Sequence, residues 1–416
     1  MTITANLYDV LAERGMLAQS TDENIRQRLQ SPQVAYNGFD PTADSLHVGH
    51  LLPVMGLAHL QRCGHKPIVV IGGATAMVGD PSGKTEARQM LTREQIEANG
   101  QAIGAQIGRL LSFDDSPTGA VMVNNADWLA GKGWIEMLRE IGAHFSVNRM
   151  LSMESVKGRL ESGGGITYLE FSYMIMQAYD FLHLHREHGC TLQFGGQDQW
   201  GNIVMGIELG RRLAGAELAG LTLPLVTRAD GGKFGKTEAG TVWLDPKRTS
   251  PYEFYQFFRN TTDADVGKYL GFFTFLPTDE VRELASREGV ELNASKEVLA
   301  YEATKLIHGE AEAAKARDDA RKAFGEAKDV TGDAIPHAEL PASELSEGVG
   351  LLALMVRAGL AKSNGEARRL VQGGGVRLHD EKVADAMRTV TAEDVQDGYV
   401  LMRVGKKRLF RFDVKG

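Results

Sequence analysis

The stretch VAYNGFDPTADSLHVGH, residues 34–50, passes from a short β-prone run through a turn into the start of a helix. VAYNGF (34–39) has strand character, Pro41 and Thr42 shape the turn, and HLLPVMGLAHLQRCG (50–64) has 3.6-residue periodicity. Gly49, between Val48 and His50, lets a flat or charged ligand approach the backbone, and the free N–H groups of a helix start favour phosphate. Outward from this unit the pattern recurs. Further strands are expected at PIVVIGGA (67–74), AVMVNN (120–125), TLQFGG (191–196) and TLPLVT (222–227), with helical stretches between them such as YLEFSYMIMQAYDFLHL (168–184). Strands alternating with helices predict an α/β fold, a Rossmann-type doubly wound and mostly parallel sheet with ligands at the carboxyl ends of its strands.

From about residue 246 the β signal stops, and PYEFYQFFRN, EVLAYEATKLIHG and EAAKARDDARKAFG read as helices. DVTGDAIPHAELPASE (329–344) mixes Pro, acidic and small residues and reads as a connection. LLALMVRAGLAKSNGEARRLVQGGGVRL (351–378) reads as two short helices, a Gly-rich turn and a strand. The expected organisation is therefore a sheet domain (1–245), an α-helical domain (246–330), a linker (331–346) and a small α+β domain (347–416).

Across 416 residues, 43% hydrophobic and 24% charged composition excludes a disordered chain. No apolar run approaches the ~18–20 residues that span a bilayer, and MTITANLYDVLAERGML does not read as a secretory signal. With only Cys63 and Cys190, neither a disulfide framework nor a four-cysteine zinc site can be built, which points to a reducing cytoplasm. The net charge of -8 is unevenly spread: residues 347–416 carry 13 Lys/Arg against 9 Asp/Glu, and the rest 33 against 45. An acidic body with a basic tail predicts that the tail meets a polyanion.

Three other motifs need weighing. GDPSGKT (79–85) leaves three residues between Gly79 and Gly83 where a phosphate loop needs four, although Asp80 can still serve a ligand. HLHREHGC (183–190) has no second Cys or carboxylate cluster to complete a tetrahedral metal set, and reads as a helix end. KFGKT (233–237) offers two lysines and a threonine in the Gly-rich loop ADGGKFGKTEAG, suited to a reaction in which charge develops on phosphoryl oxygens.

HVGH early and KFGKT late resemble the two signature segments of class I aminoacyl-tRNA synthetases, usually written HIGH and KMSKS. YNGFDPTADSLHVGH (36–50), GGATAMVGDPSGK (72–84), YMIMQAYDF (173–181), FGGQDQWGNI (194–203) and PLVTRADGGKFGKTEAG (224–240) narrow the resemblance to the bacterial tyrosyl-tRNA synthetases. The C-terminal stretch resembles an S4-type RNA-binding module. Asn37 and Gln197 stand where some members carry Cys and Ser.

The resemblance implies activation of L-tyrosine by ATP, accompanied by Mg²⁺, followed by transfer to tRNA(Tyr) by a homodimer. Thr42, His47, Lys233, Lys236 and Thr237 would grip the β- and γ-phosphates. His50 and Asp198 would hold the ribose, with Gly38, Asp40, Gly49 and Gly196 completing the ATP site. Asp80, Tyr173 and Gln177 would meet the α-ammonium, Gln199 the carboxylate end, and Tyr36 with Asp180 the phenol hydroxyl. The spacing i, i+4, i+7 puts Tyr173, Gln177 and Asp180 on one helix face. Arg357, Lys362, Arg368, Arg369 and Arg377, around a Gly-rich turn, suit RNA phosphates. A tryptophanyl enzyme, with little use for two hydroxyl partners, and a non-catalytic RNA-binding relative, which should have lost a signature, are the alternatives.

Overall fold

The computed structural model describes all residues except 1–4, 82–90, 162, 164, 233, 238–239, 325–335, 380, 406–407 and 416. Its chain divides into two compact units, Met1–Ala314 and Lys315–Gly416.

The first unit is built on strands β1 (Gln19–Ser20), β2 (Val34–Phe39), β3 (Lys66–Ile71), β4 (Val121–Asn124), β5 (Leu192–Gly196) and β6 (Ala219–Leu223), in the order β1-β6-β5-β2-β3-β4. β2 to β6 pair in parallel, and β1 lies antiparallel against β6. The chain leaves β2 toward β3 and β4, then returns to its other side with β5 and β6. The topological switch therefore falls between β2 and β5, where such sheets open a crevice. From Pro67 on, β3 is buried at every position, as is all of β6, as strands covered on both faces require. The sixth strand lies three residues earlier than the sequence predicts, because Pro224 has no N–H for a ladder. The two-residue β1 carries no sequence signal of its own.

Three helices frame the crevice: α1 (Val48–Arg62), α2 (Tyr168–His188) and α3 (Trp200–Ala214). In α2, Thr167 Oγ1 accepts from the Glu170 N–H and Glu170 accepts from the Thr167 N–H, a reciprocal cap. α2 runs on to Gly189, whose φ of +63° ends it. Helices α4 (Pro251–Arg259), α5 (Val266–Phe273) and α6 (Glu291–His308) pack about the buried rings of Phe254, Phe258 and Phe273. A further helix, Thr278–Ser286, was not anticipated. The buried Arg14 guanidinium donates to the carbonyls of Gly271 (3.2 Å) and Thr274 (2.9 Å), tying the N-terminal segment to the end of α5. The regions expected as separate sheet and helical domains thus share one compact unit. Strands β7 (Lys236–Thr237) and β8 (Gly240–Thr241) form a small hairpin.

The second unit contains β9 (His337–Pro341), β10 (Val349–Gly350), β11 (Val376–Leu378), β12 (Glu381–Lys382), β13 (Thr389–Val390), β14 (Tyr399–Val404) and β15 (Arg408–Lys415). Its main sheet has the order β12-β11-β14-β15-β9. The linker expected over 331–346 requires correction: in its described part β9 pairs in parallel with β15, and helix Ala342–Glu347 follows. Leu340 is fully buried in this unit's core, so a stretch that reads as loop from its prolines supplies an edge strand. Helices α7 (Leu351–Arg357) and α8 (Asn364–Gln372), three glycines and β11 follow the sequence reading.

Candidate active site

A cavity of about 400 Å³ opens where β2, β3, β5 and β6 end, with α1 and α2 along its walls. It is lined by Tyr36, Gly38, Asp40, Thr42, His47, Gly49, His50, Asp80, Tyr173, Gln177, Asp180, Gly196, Asp198 and Gln199. The sheet thus gathers in one place residues that the sequence spreads over more than 160 positions.

Among the lining groups, Tyr36 is 2% exposed and its hydroxyl has no hydrogen-bond partner among the described residues. Burial, then the Asp180 charge, raises the Tyr36 phenol well above its ordinary pKa, so it stays a neutral donor. Asp180 is 3% exposed, and burial pushes its carboxyl up to about 7. Two donors oppose that shift: Asn125 Nδ2 gives 3.0 Å to Oδ2 and Trp128 Nε1 gives 2.7 Å to Oδ1. A neutral phenol and a carboxylate poised near neutrality can together hold one hydroxyl group, donating to its oxygen and accepting its proton.

From Asp180 a chain of hydrogen bonds crosses the site. Asn125 Nδ2 also donates to Thr75 Oγ1 (3.0 Å), and Thr75 Oγ1 donates to Asp40 Oδ1 (2.8 Å). Tyr173 donates its hydroxyl to Asp40 Oδ2 (2.9 Å). A Cβ on Gly72 would come within 2.1 Å of Asp40 Oδ1, so only glycine fits beside it. Across the cavity Gln199 Nε2 donates to Asp80 Oδ2 (2.7 Å), and Asn202 Nδ2 bridges Gln177 Oε1 (3.1 Å) and Gln199 Oε1 (3.0 Å). Burial raises the Asp198 carboxyl above its ordinary range. Carboxylates and amide oxygens crowded into one half of a cavity favour a cationic group there.

At the helix start His47 caps α1, its Nδ1 accepting from the Gly49 N–H (3.0 Å), and its ring stacks on His50 at 3.9 Å. The second signature lies beside the first. Gly235, at φ +78°, has room for no Cβ: one would stand 2.8 Å from Val48 Cγ2. The Gly235 carbonyl accepts from Val242 N–H (2.9 Å), and the Val242 carbonyl accepts from Val48 N–H (3.0 Å). Lys236 and Thr237 are exposed on β7 and do not line the cavity; Lys233 lies outside the described residues.

Thr75, Asn125, Trp128 and Asn202 were not anticipated. The available signal is positional: Asn125 directly follows β4 at a carboxyl end, and Thr75 and Asn202 fall within GGATAMVGDPSGK and FGGQDQWGNI, whereas Trp128 gives none. His183 stacks its ring on Trp128 at 4.3 Å, and His185 Nδ1 lies 3.0 Å from the Cys190 carbonyl oxygen. In the second unit Lys362, Arg368, Arg369 and Arg377 are exposed. Arg357 is exposed too, paired with Glu344 (2.9 Å) and donating to the Glu339 carbonyl (3.1 Å). Arg377 stands in register between Lys382 on β12 and Arg403 on β14, a row of three cations across the sheet.

Comparison with known proteins identifies the family. Residues 28–325 match the family described as tRNA synthetases class I (W and Y), and residues 329–412 the tyrosine–tRNA ligase SYY-like C-terminal domain. The chain is 50% identical over 414 residues to a tyrosine–tRNA ligase of Clostridium botulinum, covering 99% of this chain and all of that one. It is 52% identical over 401 residues to the tyrosine–tRNA ligase of Caulobacter vibrioides, covering 96% and 95%. A crystal structure of a C-terminally truncated mitochondrial tyrosyl-tRNA synthetase from Aspergillus nidulans matches with a TM-score of 0.67 at 32% identity, covering 77% of this chain and 94% of that one. With a family model over most of the chain and full-length relatives at about 50% identity, the chain belongs to the tyrosyl-tRNA synthetase family of class I aminoacyl-tRNA synthetases.

Proposed function

We propose that this protein activates L-tyrosine with ATP and transfers it to tRNA(Tyr). The observation that carries the reading is the buried Tyr36 hydroxyl, without a hydrogen-bond partner among the described residues, in the same cavity as the Asp180 carboxylate. Tyrosine lies with its phenol between these two groups and its α-ammonium toward Asp80, Tyr173 and Gln177. Its carboxylate, already a nucleophile at neutral pH, attacks the α-phosphorus of ATP. A carboxyl–phosphate bond forms, the bond from the α-phosphorus to the bridging oxygen breaks, and pyrophosphate leaves. No general base is needed, so positioning and charge stabilisation supply the acceleration.

Asp198 and His50 hold the ribose, with Gly38, Asp40, Gly49 and Gly196 giving the nucleotide a close approach. Thr42, His47, Lys233, Lys236 and Thr237 hold the phosphates. Mg²⁺ arrives with ATP; among the described residues no cluster of three or more His, Cys, Asp or Glu could hold it. A terminal ribose hydroxyl of the tRNA then attacks the tyrosyl carbonyl and AMP leaves. The exposed Arg368, Arg369 and Arg377, with Lys362 and Arg357, meet RNA phosphates in an S4-like manner, and Lys382 and Arg403 extend the row.

The active form is a cytoplasmic homodimer. Its support is an apolar surface on one segment of the first unit, where Trp134, Ile135, Val147 and Tyr168 are each more than half exposed. The decisive experiment is pyrophosphate exchange into ATP with each of the twenty amino acids. Tyrosine alone should support rapid exchange, and rapid exchange with tryptophan instead would overturn the reading.

A further inference from the structure

KFGKT contains one side chain that the chemistry above does not use. Phe234 is the large apolar side chain in a loop otherwise made of glycine, alanine, threonine and charged residues, and it is half-buried. Its ring stacks on Phe273 (5.4 Å, 5° between planes) and meets Tyr269 (5.1 Å) and Phe257 (5.4 Å) edge-on. Phe273 is itself fully buried and Tyr269 nearly so.

The same helical segment holds the start of the loop. Tyr269 donates its hydroxyl to the Thr227 carbonyl (3.1 Å), Lys268 Nζ donates to that carbonyl (2.6 Å), and Asp265 Oδ2 accepts from the Ala229 N–H (2.9 Å). On the other side, Gly235 abuts Val48 at the start of α1. The loop between β6 and β8 is thus fastened both to the segment 265–273 and to the first signature.

The geometry points to Phe234 as a positioning residue for activation: its ring, wedged among Phe257, Tyr269 and Phe273, fixes where the signature lysine Lys236 stands relative to His47 and His50. Lys236 is two residues away in sequence, and consecutive Cα atoms are about 3.8 Å apart. Setting the Phe234 backbone therefore constrains Lys236, whose long side chain alone does not define a position. A consequence is that the helical segment 251–273 influences phosphate chemistry through packing, without touching ATP.

This inference rests on the function proposed above, and the test separates the two. Single-turnover formation of tyrosyl-adenylate is measured in the full-length protein, in Phe234→Ala, in Phe234→Met, in Lys236→Ala and in the Phe234→Ala/Lys236→Ala double variant. Tyrosine binding is titrated in parallel. Misplacing a catalytic group by an ångström costs up to about a hundredfold, so Phe234→Ala should slow activation at least about tenfold with little change in tyrosine Kd. Phe234→Met, large and apolar, should recover most of the rate. If the ring acts through Lys236, its removal should cost much less once that lysine is gone. Three results would overturn the assignment: an unchanged rate in Phe234→Ala, tyrosine binding weakened as much as the rate, or fully multiplicative losses in the double variant. A wild-type protein that forms no adenylate with tyrosine would instead sink the proposed function itself.

Discussion

Tyr36 keeps a buried hydroxyl without a partner among the described residues, which costs the unliganded protein about 1–3 kcal/mol. A phenol oxygen arriving from the substrate satisfies it. Tyr36→Phe should therefore move two measurements in opposite directions. Thermal unfolding of the free protein should show a gain of about 1 kcal/mol, while the kcat/KM ratio of tyrosine to phenylalanine falls roughly three- to tenfold. An unchanged ratio would place phenol recognition elsewhere. Asp180 makes a pH prediction. Its folded carboxyl titrates at about 7 against an ordinary 3.8, so between those values the folded protein holds a proton that the unfolded chain has released. Its contribution to stability is complete below 3.8 and is lost as pH rises through 7. Tyrosine needs the ionised form to accept its phenol proton, so tyrosine affinity should weaken about tenfold per pH unit below 7 and plateau above it. Phenylalanine, lacking the donor, should not show that slope, and Asp180→Asn should abolish it. Trp128→Phe removes a donor that favours the ionised form, and should push the bend in the tyrosine curve to higher pH.

The elements that were legible in the sequence are those whose local pattern and tertiary role agree. β2 falls where VAYNGF predicts, because its central place in a parallel sheet demands a short β-prone run before a turn. α2 places Tyr173, Gln177 and Asp180 along one cavity wall, as their spacing requires. Elements whose role is set only by tertiary contact were less legible. β9 lies in a stretch that reads as a connection and is a strand because β15 offers it an edge. Asn125 and Trp128 are recognisable only once Asp180 lies beside them, since neither belongs to a periodic pattern. The start of α1 carries its own prediction. His47 caps the helix and stacks on His50, and its proposed phosphate contact forms as charge develops in activation. His47→Ala should lower the rate of adenylate formation by about 2–4 kcal/mol in barrier while tyrosine Kd changes little. Pre-steady-state kinetics with tyrosine titration checks this, and the opposite pattern would assign His47 to tyrosine binding.

At the scale of the whole molecule, the two compact units imply separable half-reactions. Every described residue of the cavity lies before Ala314, whereas the cationic row belongs to a sheet that begins at β9. A truncation after residue 335 removes that sheet entire, while one after 346 would leave β9 as an unpaired strand and invite aggregation. The protein ending at 335 should retain tyrosine-dependent pyrophosphate exchange and lose most aminoacylation of RNA; equal loss of both would mean that the units act as one. Full-length Arg368→Glu/Arg369→Glu should weaken RNA binding and flatten its salt dependence without slowing exchange. The remaining question of assembly turns on the exposed apolar surface. Trp134 and Tyr168 bring their rings to 6.1 Å across two helices, so these two exposed residues form one patch. A second copy covering it would exclude this apolar area from water, at about 25 cal/mol per Å² before the costs of association. Ile135, at 64% exposure, supports no contact whose loss would unfold the free chain, so Ile135→Asp isolates assembly from folding. Sedimentation of wild type should give twice the mass of the chain, and of Ile135→Asp the mass of one chain with unchanged circular dichroism. A wild type that sediments as a single chain at micromolar concentration would leave this surface to another partner and remove the dimer from the proposed function.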